Sequence, residues 1–387
     1  MVNDNIVTII TISIIIISTP YFSKLIKLPL TPVEIILGSI AGYFGFIAHS
    51  EIFTLISEVG FLYLMFLAGS EVDLRILKNI DIKLLKNSII YIALLYLFSF
   101  LSSQYLHLSG VFIITMPLIS VGLILTLFKE YGKEQKWLQK AMIVGVLGEI
   151  ISITLVTFSS AALEFGIGTK FYETIFILFA FLFAIAVLFK LLEILFWWYP
   201  GIKTFLMPHF DNDEKDIRIS ISIFFILIAV TLYLHLEIAF GAFIAGIFIS
   251  TFFKHKEELT HKLSSFGFGF LVPLFFIYIG TTLKLDILSD TSLLYNSFLI
   301  TTLMIGIRIL SAIVVFFDLS IKQRVLFGLA HSMPLTLLVA VAAIAYNSHT
   351  IDENTYYAFI LASIFEVIVS MILIKVLNKK DQKSSTK

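Results

Sequence analysis

Long apolar runs recur along the whole chain. A helix needs roughly 20 such residues to cross the hydrocarbon core of a bilayer, about 30 Å thick. Thirteen runs approach or reach that length: 6–19, 32–49, 53–70, 87–106, 109–129, 137–163, 171–198, 218–235, 236–253, 263–283, 293–317, 324–347 and 354–377. The first is short, and the two that meet at residue 236 leave almost no loop between them. Of the 387 residues, 59% are hydrophobic and only 14% charged, whereas soluble domains carry about 25% charge. The expected fold class is therefore an all-α polytopic membrane protein. The formal net charge is zero, which argues against a nucleic-acid partner. There is no cysteine, so disulfides, thiol chemistry and Cys-based metal sites are excluded, and no cofactor is expected. The run "IVTIITISIIII" has no Lys or Arg before it and no small-residue cleavage pattern after it. It reads as a retained membrane helix rather than a signal peptide.

The positive charges orient these runs. Loops on one side carry Lys24 and Lys27, then Arg75, Lys78, Lys83 and Lys86, then Lys129, Lys133, Lys136 and Lys140. The same side holds the basic residues near 203–218, 254–262 and 322–324 and the tail "NKKDQKSSTK". Only Lys170 and Lys284 fall on the other side, and Lys190 and Arg308 fall inside helices. Cytoplasmic loops carry the excess of Lys and Arg. The C-terminus is thus expected in the cytoplasm and the N-terminus outside, in a multi-pass protein of the inner (cytoplasmic) membrane. Residues 1–378 read as one transmembrane domain and 379–387 as a short cytoplasmic tail, with no soluble domain following.

A repeat is hidden in the chain. "TMPLIS" (115–120) and "SMPLTL" (332–337) share Met-Pro-Leu inside predicted spans. Proline costs a helix interior about 3 kcal/mol or more, and its lost bond is tolerated in a membrane only beside protein or a water cavity. Pro117 and Pro334 are therefore expected helix breaks. A glutamate in the middle of the following span comes after each, and the interval from Pro117 to Glu149 equals that from Pro334 to Glu366. "FLAGSEVDL" (66–74) rhymes with "IYIGTTLKLD" (277–286). The two units lie seven spans apart. Seven is odd, so the second unit is inverted relative to the first, with a discontinuous helix in each half. That is the architecture of secondary transporters.

The ionisable residues inside the spans suggest the chemistry. Glu149, in "VGVLGEIISI", lies about halfway along the 137–163 span. At helical rise it sits about 18 Å from the start of that span, beyond reach of snorkelling. Intramembrane carboxylates are functional by default; the alternative is a protonated acid bonded to a neighbouring carbonyl. Arg308 either snorkels or, the favoured reading, neutralises a buried carboxylate. Glu366 reads equally as a second ion ligand or as the structural partner of Arg308. Two glutamates and one arginine sum to minus one. An uncompensated buried charge is costly, so the site should hold one monovalent cation or one proton. Desolvation favours the protonated carboxyl, which lets protons compete near neutral pH. Exclusive occupancy of a site that opens to alternate sides is antiport. Ser152, one turn beyond Glu149, and Ser120, near the break, are candidate ligands to Na+ or K+, with carbonyls freed at Pro117. Either serine could instead bond its own helix.

Other polar residues carry less. Glu34 follows two prolines at a helix start, where negative charge suits the dipole. Glu71 and Asp73 end a span on the cytoplasmic side, either solvated or lining a mouth. His331 precedes Pro334 and either tunes pH response or packs as a neutral ring. Lys190 and Glu193 form an i,i+3 pair. "WWYP" (197–200) reads as an interfacial aromatic belt.

Several stretches together carry a family resemblance. "KLPLTPVEIILGSIAGYFG" (27–45) resembles a stretch in which Pro, then Gly-Glu, opens a helix. "FLAGSEVDL" resembles a Phe-Leu-Ala-Gly-Leu-Glu-Val-Asp signature, and "LVPLFFIYIGTTLKLD" (271–286) a Pro-Ile-Phe-Phe…Gly…Asp signature. "ISVGLILTLFKEYG" (119–132) resembles the broken-helix stretch leading to Lys-Glu. The family so resembled is the second monovalent cation:proton antiporter family, bacterial sodium/proton exchangers and their potassium-efflux relatives. The resemblance implies the Na+/H+ antiporter fold, a homodimer of about 13 transmembrane helices. It also implies a dimer part and a core part, the latter carrying 87–163 and 293–377, that moves the ion as an elevator. The family's ion-binding Asp falls on Glu149 and its basic residue on Arg308. The sequence departs from the pattern at Gly148, where a first Asp or Asn is usual, and at Ile119, where Thr is usual. Arg in place of Lys and the lack of the first acid imply electroneutral exchange, one cation for one proton. The chain ends too early for the nucleotide-binding domain of ligand-gated relatives.

The expectation is a secondary antiporter exchanging Na+ (or K+, Li+) for H+, with Na+ favoured. The alternatives are K+/H+ exchange and a sodium-coupled solute carrier on a similar fold. An intramembrane enzyme is disfavoured, because no His, Ser and acid meet at one depth.

Overall fold

In hydrocarbon a backbone must bond to itself, so a spanning chain without closed barrels must be helical. The computed structural model describes residues 2–26, 28, 30–47, 50–71, 81–121, 123–124, 127, 131–132, 134–165, 168–202, 214–236, 238–253, 257–282 and 290–384. All regular structure among them is helical. The helices are α1 (Val2–Ile26), α2 (Leu30–Tyr43), α3 (Glu51–Glu71), α4 (Ile82–Tyr105), α5 (Val111–Thr115), α6 (Lys136–Phe165), α7 (Thr169–Trp198), α8 (Lys215–Tyr233) and α9 (Ile238–Phe252). They continue as α10 (Glu257–Phe266), a π-helical turn (Gly267–Leu271), α11 (Val272–Thr282), α12 (Thr291–Val315), α13 (Ile321–His331), α14 (Leu335–Asn347) and α15 (Glu353–Ser384).

Among the described residues, nine helices are long and apolar enough to cross a membrane. Three expected spans, 32–49, 236–253 and 324–347, meet shorter apolar helices. The 109–129 span is described only in part. The first span is much longer than its apolar run suggests. The tight junction at residue 236 is a turn with His235 at φ 52°, closed by Leu236 N–H to the Thr231 carbonyl. The π turn falls just ahead of Pro273, whose missing N–H removes one rung of the helical ladder.

The chain divides into two compact units: Met1–Leu74 with Phe165–Ser289, and Arg75–Glu164 with Asp290–Lys387. In the first, helix backbones approach closely at glycines. A Cβ on Gly69 of α3 would overlap the Phe243 carbonyl of α9, and one on Gly246 of α9 would overlap the Phe66 carbonyl of α3. The same arrangement recurs elsewhere in this unit. Gly280 of α11 meets the Ile35 carbonyl of α2, and Gly38 of α2 meets the Ile277 carbonyl of α11. The interval from Gly69 to Gly280 equals that from Phe66 to Ile277, and the interval from Gly38 to Gly246 equals that from Ile35 to Phe243. The α3–α9 crossing is thus repeated as α11–α2, which gives physical content to the rhyme between 66–74 and 277–286. With no hydrophobic drive between helices in lipid, small residues that admit close approach supply the van der Waals contact. Aromatic rings of Tyr63, Phe66 and Phe224 fill the space beside this crossing.

In the second unit the repeat shows in the caps. Asp81 accepts from Lys83 N–H at the start of α4, and Asp290 from Ser292 N–H at the start of α12. The helices that carry Glu149 and Glu366, α6 and α15, begin at Lys136 and Glu353. Those two starts are separated by the same interval as Pro117 and Pro334. Helix α5 ends at Thr115, residues 116–121 are non-helical, and helix resumes at 123. Helix α13 ends at His331, and α14 starts at Leu335, just after Pro334. A Ser320–Gln323 capping box starts α13. Lys140 of α6 pairs with Asp318 in the α12–α13 turn. Burial pushes that carboxyl up, but the Lys140 bond and charge outweigh it and hold Asp318 below the usual carboxylate value.

Replacing Gly246 with Leu is expected to push α3 off α9 and lower the thermal unfolding midpoint in detergent. Overpacking of this kind costs about 1–3 kcal/mol. Gly306 of α12 has open space around its Cβ position. Gly306→Ala is expected to leave that midpoint unchanged or raise it, since Ala is the better helix former.

Candidate ion site at a helix break

Glu149 lies near the middle of α6 and is 1% exposed. On that helix Ala141, Gly145, Gly148, Glu149 and Ser152 form one buried stripe, the spacing of a single helix face. The stripe lies against the break at 116–121. Ser120 Oγ donates to Glu149 Oε1 at 3.2 Å, and Val121 N–H donates to Oε2 at 3.2 Å. Ile119 N–H donates to Ser152 Oγ, also at 3.2 Å. Val121 lies two residues before the point where helix resumes at 123. Glu149, Ser120 and Ser152 are thereby brought into one cluster. All three are buried, yet each oxygen retains a lone pair for a further partner.

The two departures from the family pattern touch each other. A Cβ on Gly148 would lie 2.5 Å from Ile119 Cδ1 and 3.0 Å from its Cβ. Ile119 fills the space that a larger residue at 148 would need.

Arg308 of α12 and Glu366 of α15 are both 0% exposed. Arg308 NH1 donates to its own Met304 carbonyl at 2.7 Å and reaches Glu366 Oε1 only at 3.4 Å. Its NH2 donates at 2.7 Å to the Leu118 carbonyl inside the break. Arg308 Nε and Glu366 Oε2 have no hydrogen-bond partner among the described residues. The expectation of carbonyls freed at Pro117 as ion ligands is therefore altered. The Leu118 carbonyl is taken by Arg308. The Ile113 carbonyl, one helical turn before Pro117, accepts from Ser99 Oγ at 3.3 Å, and the Phe112 carbonyl from the same hydroxyl at 3.0 Å. At the second break, Ser370 Oγ of α15 donates to the Ser332 carbonyl at 3.2 Å.

The remaining candidates separate from this cluster. His331 is buried, with Nδ1 3.1 Å from the Phe327 carbonyl and Nε2 2.9 Å from the Ala141 carbonyl. Its ring packs on Phe327 and Tyr91. Glu34 is buried in α2, in the other unit, and its Oε2 has no partner among the described residues. Lys190 and Glu193 pair at 3.2 Å on an exposed face of α7. Glu71 closes α3, and Asp73 lies outside the described residues. No cluster of three or more metal-ligating His, Cys, Asp or Glu side chains occurs among the described residues.

Sequence reasoning missed Ser99. A signal for it existed: Ser99 and Arg308 are separated by the same interval as the caps Asp81 and Asp290. The repeat thus places a hydroxyl and a guanidinium at equivalent positions.

The sodium/hydrogen exchanger transmembrane family matches residues 9–380. The chain belongs to that family. Among its relatives, "Putative Na(+)/H(+) antiporter YjbQ" of Bacillus subtilis (strain 168) is 26% identical over 416 residues, covering 100% of this chain and 65% of that protein. The chain thus spans just under two-thirds of that relative. "Probable Na(+)/H(+) antiporter 3" of Methanocaldococcus jannaschii is 25% identical over 389 residues, covering 95% of this chain and 94% of that protein. The solved sodium proton antiporter MjNhaP1 of that organism superposes with a TM-score of 0.68 over 96% of each chain at 17% identity. That likeness is one of fold. The chain is a multi-pass membrane protein with this antiporter fold.

Ser99→Ala should leave the Ile113 carbonyl unbonded in a buried setting. The expected loss of stability in detergent is about 1–3 kcal/mol, read from thermal or denaturant unfolding. Ser99→Thr, which keeps the hydroxyl, should lose less.

Proposed function

We propose that the chain is a secondary antiporter exchanging a monovalent cation, Na+ in preference to K+ or Li+, for H+ with one-for-one stoichiometry. One observation carries the reading: a buried carboxylate, Glu149, faces a helix break through Ser120 Oγ and Val121 N–H. Buried charge must be compensated, so the carboxylate holds either a proton or a cation, and it exchanges one for the other when the site reopens. Glu149, Ser120 and Ser152 supply the oxygens, and Arg308 supplies positive charge beside the break. The names of both relatives, each a Na(+)/H(+) antiporter, support Na+ as the cargo. Gly148 in place of a second acid supports a single proton per cycle. Within the family, the "FLAGSEVDL" stretch supports the second monovalent cation:proton antiporter branch.

The unit Arg75–Glu164 with Asp290–Lys387, which holds the break and Glu149, is the part that carries the ion. The other unit is the dimer part of a homodimer. The Lys and Arg asymmetry supports a cytoplasmic C-terminus, an outside N-terminus and the inner membrane as location.

Everted vesicles with a pH-quenched dye test the reading. NaCl added to vesicles carrying the wild-type chain should drive proton movement, with KCl and LiCl as comparisons. Glu149→Gln should reduce that movement to the background of empty vesicles. Undiminished flux in the variant would exclude Glu149 as the carrier.

Stoichiometry is read as current in proteoliposomes. The wild type should exchange without net current. Gly148→Asp combined with Ile119→Thr, which clears the space and adds a second carboxylate, should make exchange carry current. Gly148→Asp alone should fold poorly against Ile119.

A further inference from the structure

The Leu118 carbonyl and the Ile119 N–H belong to one peptide group. Arg308 NH2 holds the carbonyl end at 2.7 Å, and Ser152 Oγ holds the N–H end at 3.2 Å. The next two residues deliver the bonds to Glu149: Ser120 Oγ to Oε1 and Val121 N–H to Oε2. A peptide group is planar and stiff, so fixing both its ends fixes where the following two residues start. The pairing with Glu366 is looser. It is a single contact at 3.4 Å, with Arg308 Nε and Glu366 Oε2 left without partners among the described residues. A guanidinium committed to a carboxylate typically engages it through two parallel bonds. Here both short bonds of the guanidinium go to backbone carbonyls, Met304 and Leu118.

We propose that Arg308 is a positioning residue, clamping the Leu118–Ile119 peptide against Ser152 and so setting cation affinity at Glu149, rather than acting chiefly as counter-charge to Glu366. This rests on the exchange reading above. Polarising a peptide at its carbonyl strengthens its N–H as a donor, so the clamp also tightens the bond to Ser152. Losing it frees the break to drift, and the ligand oxygens lose their spacing. The carbonyl that Arg308 occupies is withheld from the ion.

Two substitutions separate the clamp from the counter-charge. Arg308→Lys keeps the positive charge but has no planar fork and cannot span the Met304 and Leu118 carbonyls together. Glu366→Gln removes the negative partner and leaves the carbonyl bonds. For Arg308→Lys the half-saturating Na+ concentration should rise about tenfold or more, the effect of one lost hydrogen bond to a charged group. For Glu366→Gln it should stay near the wild-type value. Two readouts report it: Na+ dependence of exchange in proteoliposomes, and Na+-dependent thermal stabilisation of the purified full chain in detergent. The Arg308→Lys shift should appear in both. Wild-type Na+ dependence in Arg308→Lys, or a shift in Glu366→Gln as large as that in Arg308→Lys, overturns the clamp. If Arg308→Lys does not fold, Glu366→Gln decides alone. An unshifted half-point supports the clamp, and a tenfold shift overturns it. The detergent titration reads binding without exchange. A wild type that binds Na+ but moves no protons would therefore sink the exchange reading while the clamp is still judged.

Discussion

Everything in the unit that holds the break depends on one constraint: a backbone polar group buried in hydrocarbon costs several kcal/mol unless it is bonded. Proline at 117 breaks the ladder where that cost is highest. The surrounding helices then answer for several of the exposed groups. Ser99 covers the carbonyls of Phe112 and Ile113, Arg308 that of Leu118, Ser152 the N–H of Ile119, and Glu149 the N–H of Val121. The carboxylate is thus part of the solution to a folding problem. The same bond that satisfies Val121 fixes the Glu149 carboxylate against the break.

The other unit meets the bilayer differently. Its crossings are backbone on backbone, at Gly69, Gly246, Gly38 and Gly280, with the α3–α9 contact copied as α11–α2. The glycines at these crossings let the helix backbones meet without polar side chains between them. The chain therefore combines a tightly packed frame built on glycine with a unit built on exposed and re-satisfied backbone. The repeat runs through both, at closely similar intervals along the sequence.

Much of this was legible in the sequence. Apolar run length gave the order of helices, because hydrophobic thickness is a hard limit. The matched spacing of Pro117 to Glu149 and Pro334 to Glu366 exposed the repeat, because proline and an intramembrane carboxylate are both rare and costly. What stayed hidden depended on which way side chains face across helices. Ser99 is one hydroxyl among several in an apolar helix, marked in the sequence only by its repeat interval to Arg308 and in the structure by the position of α5. The allocation of Arg308 between Glu366 and the Leu118 carbonyl follows from angstrom-scale placement that spacing cannot supply. The first helix ran past its apolar run because polar residues at a membrane surface do not end a helix. The span at 263–283 hid a π turn ahead of Pro273.

The Ile119–Gly148 contact has a further consequence for how such a chain can change over generations. An acid at 148 without a smaller neighbour collides, and a smaller neighbour without the acid leaves a void beside a charge. Each single step is worse than the start, so the two positions must move together. A lineage that has settled on this pairing is held without a second acid at 148, by one side chain seated in the space that a glycine leaves.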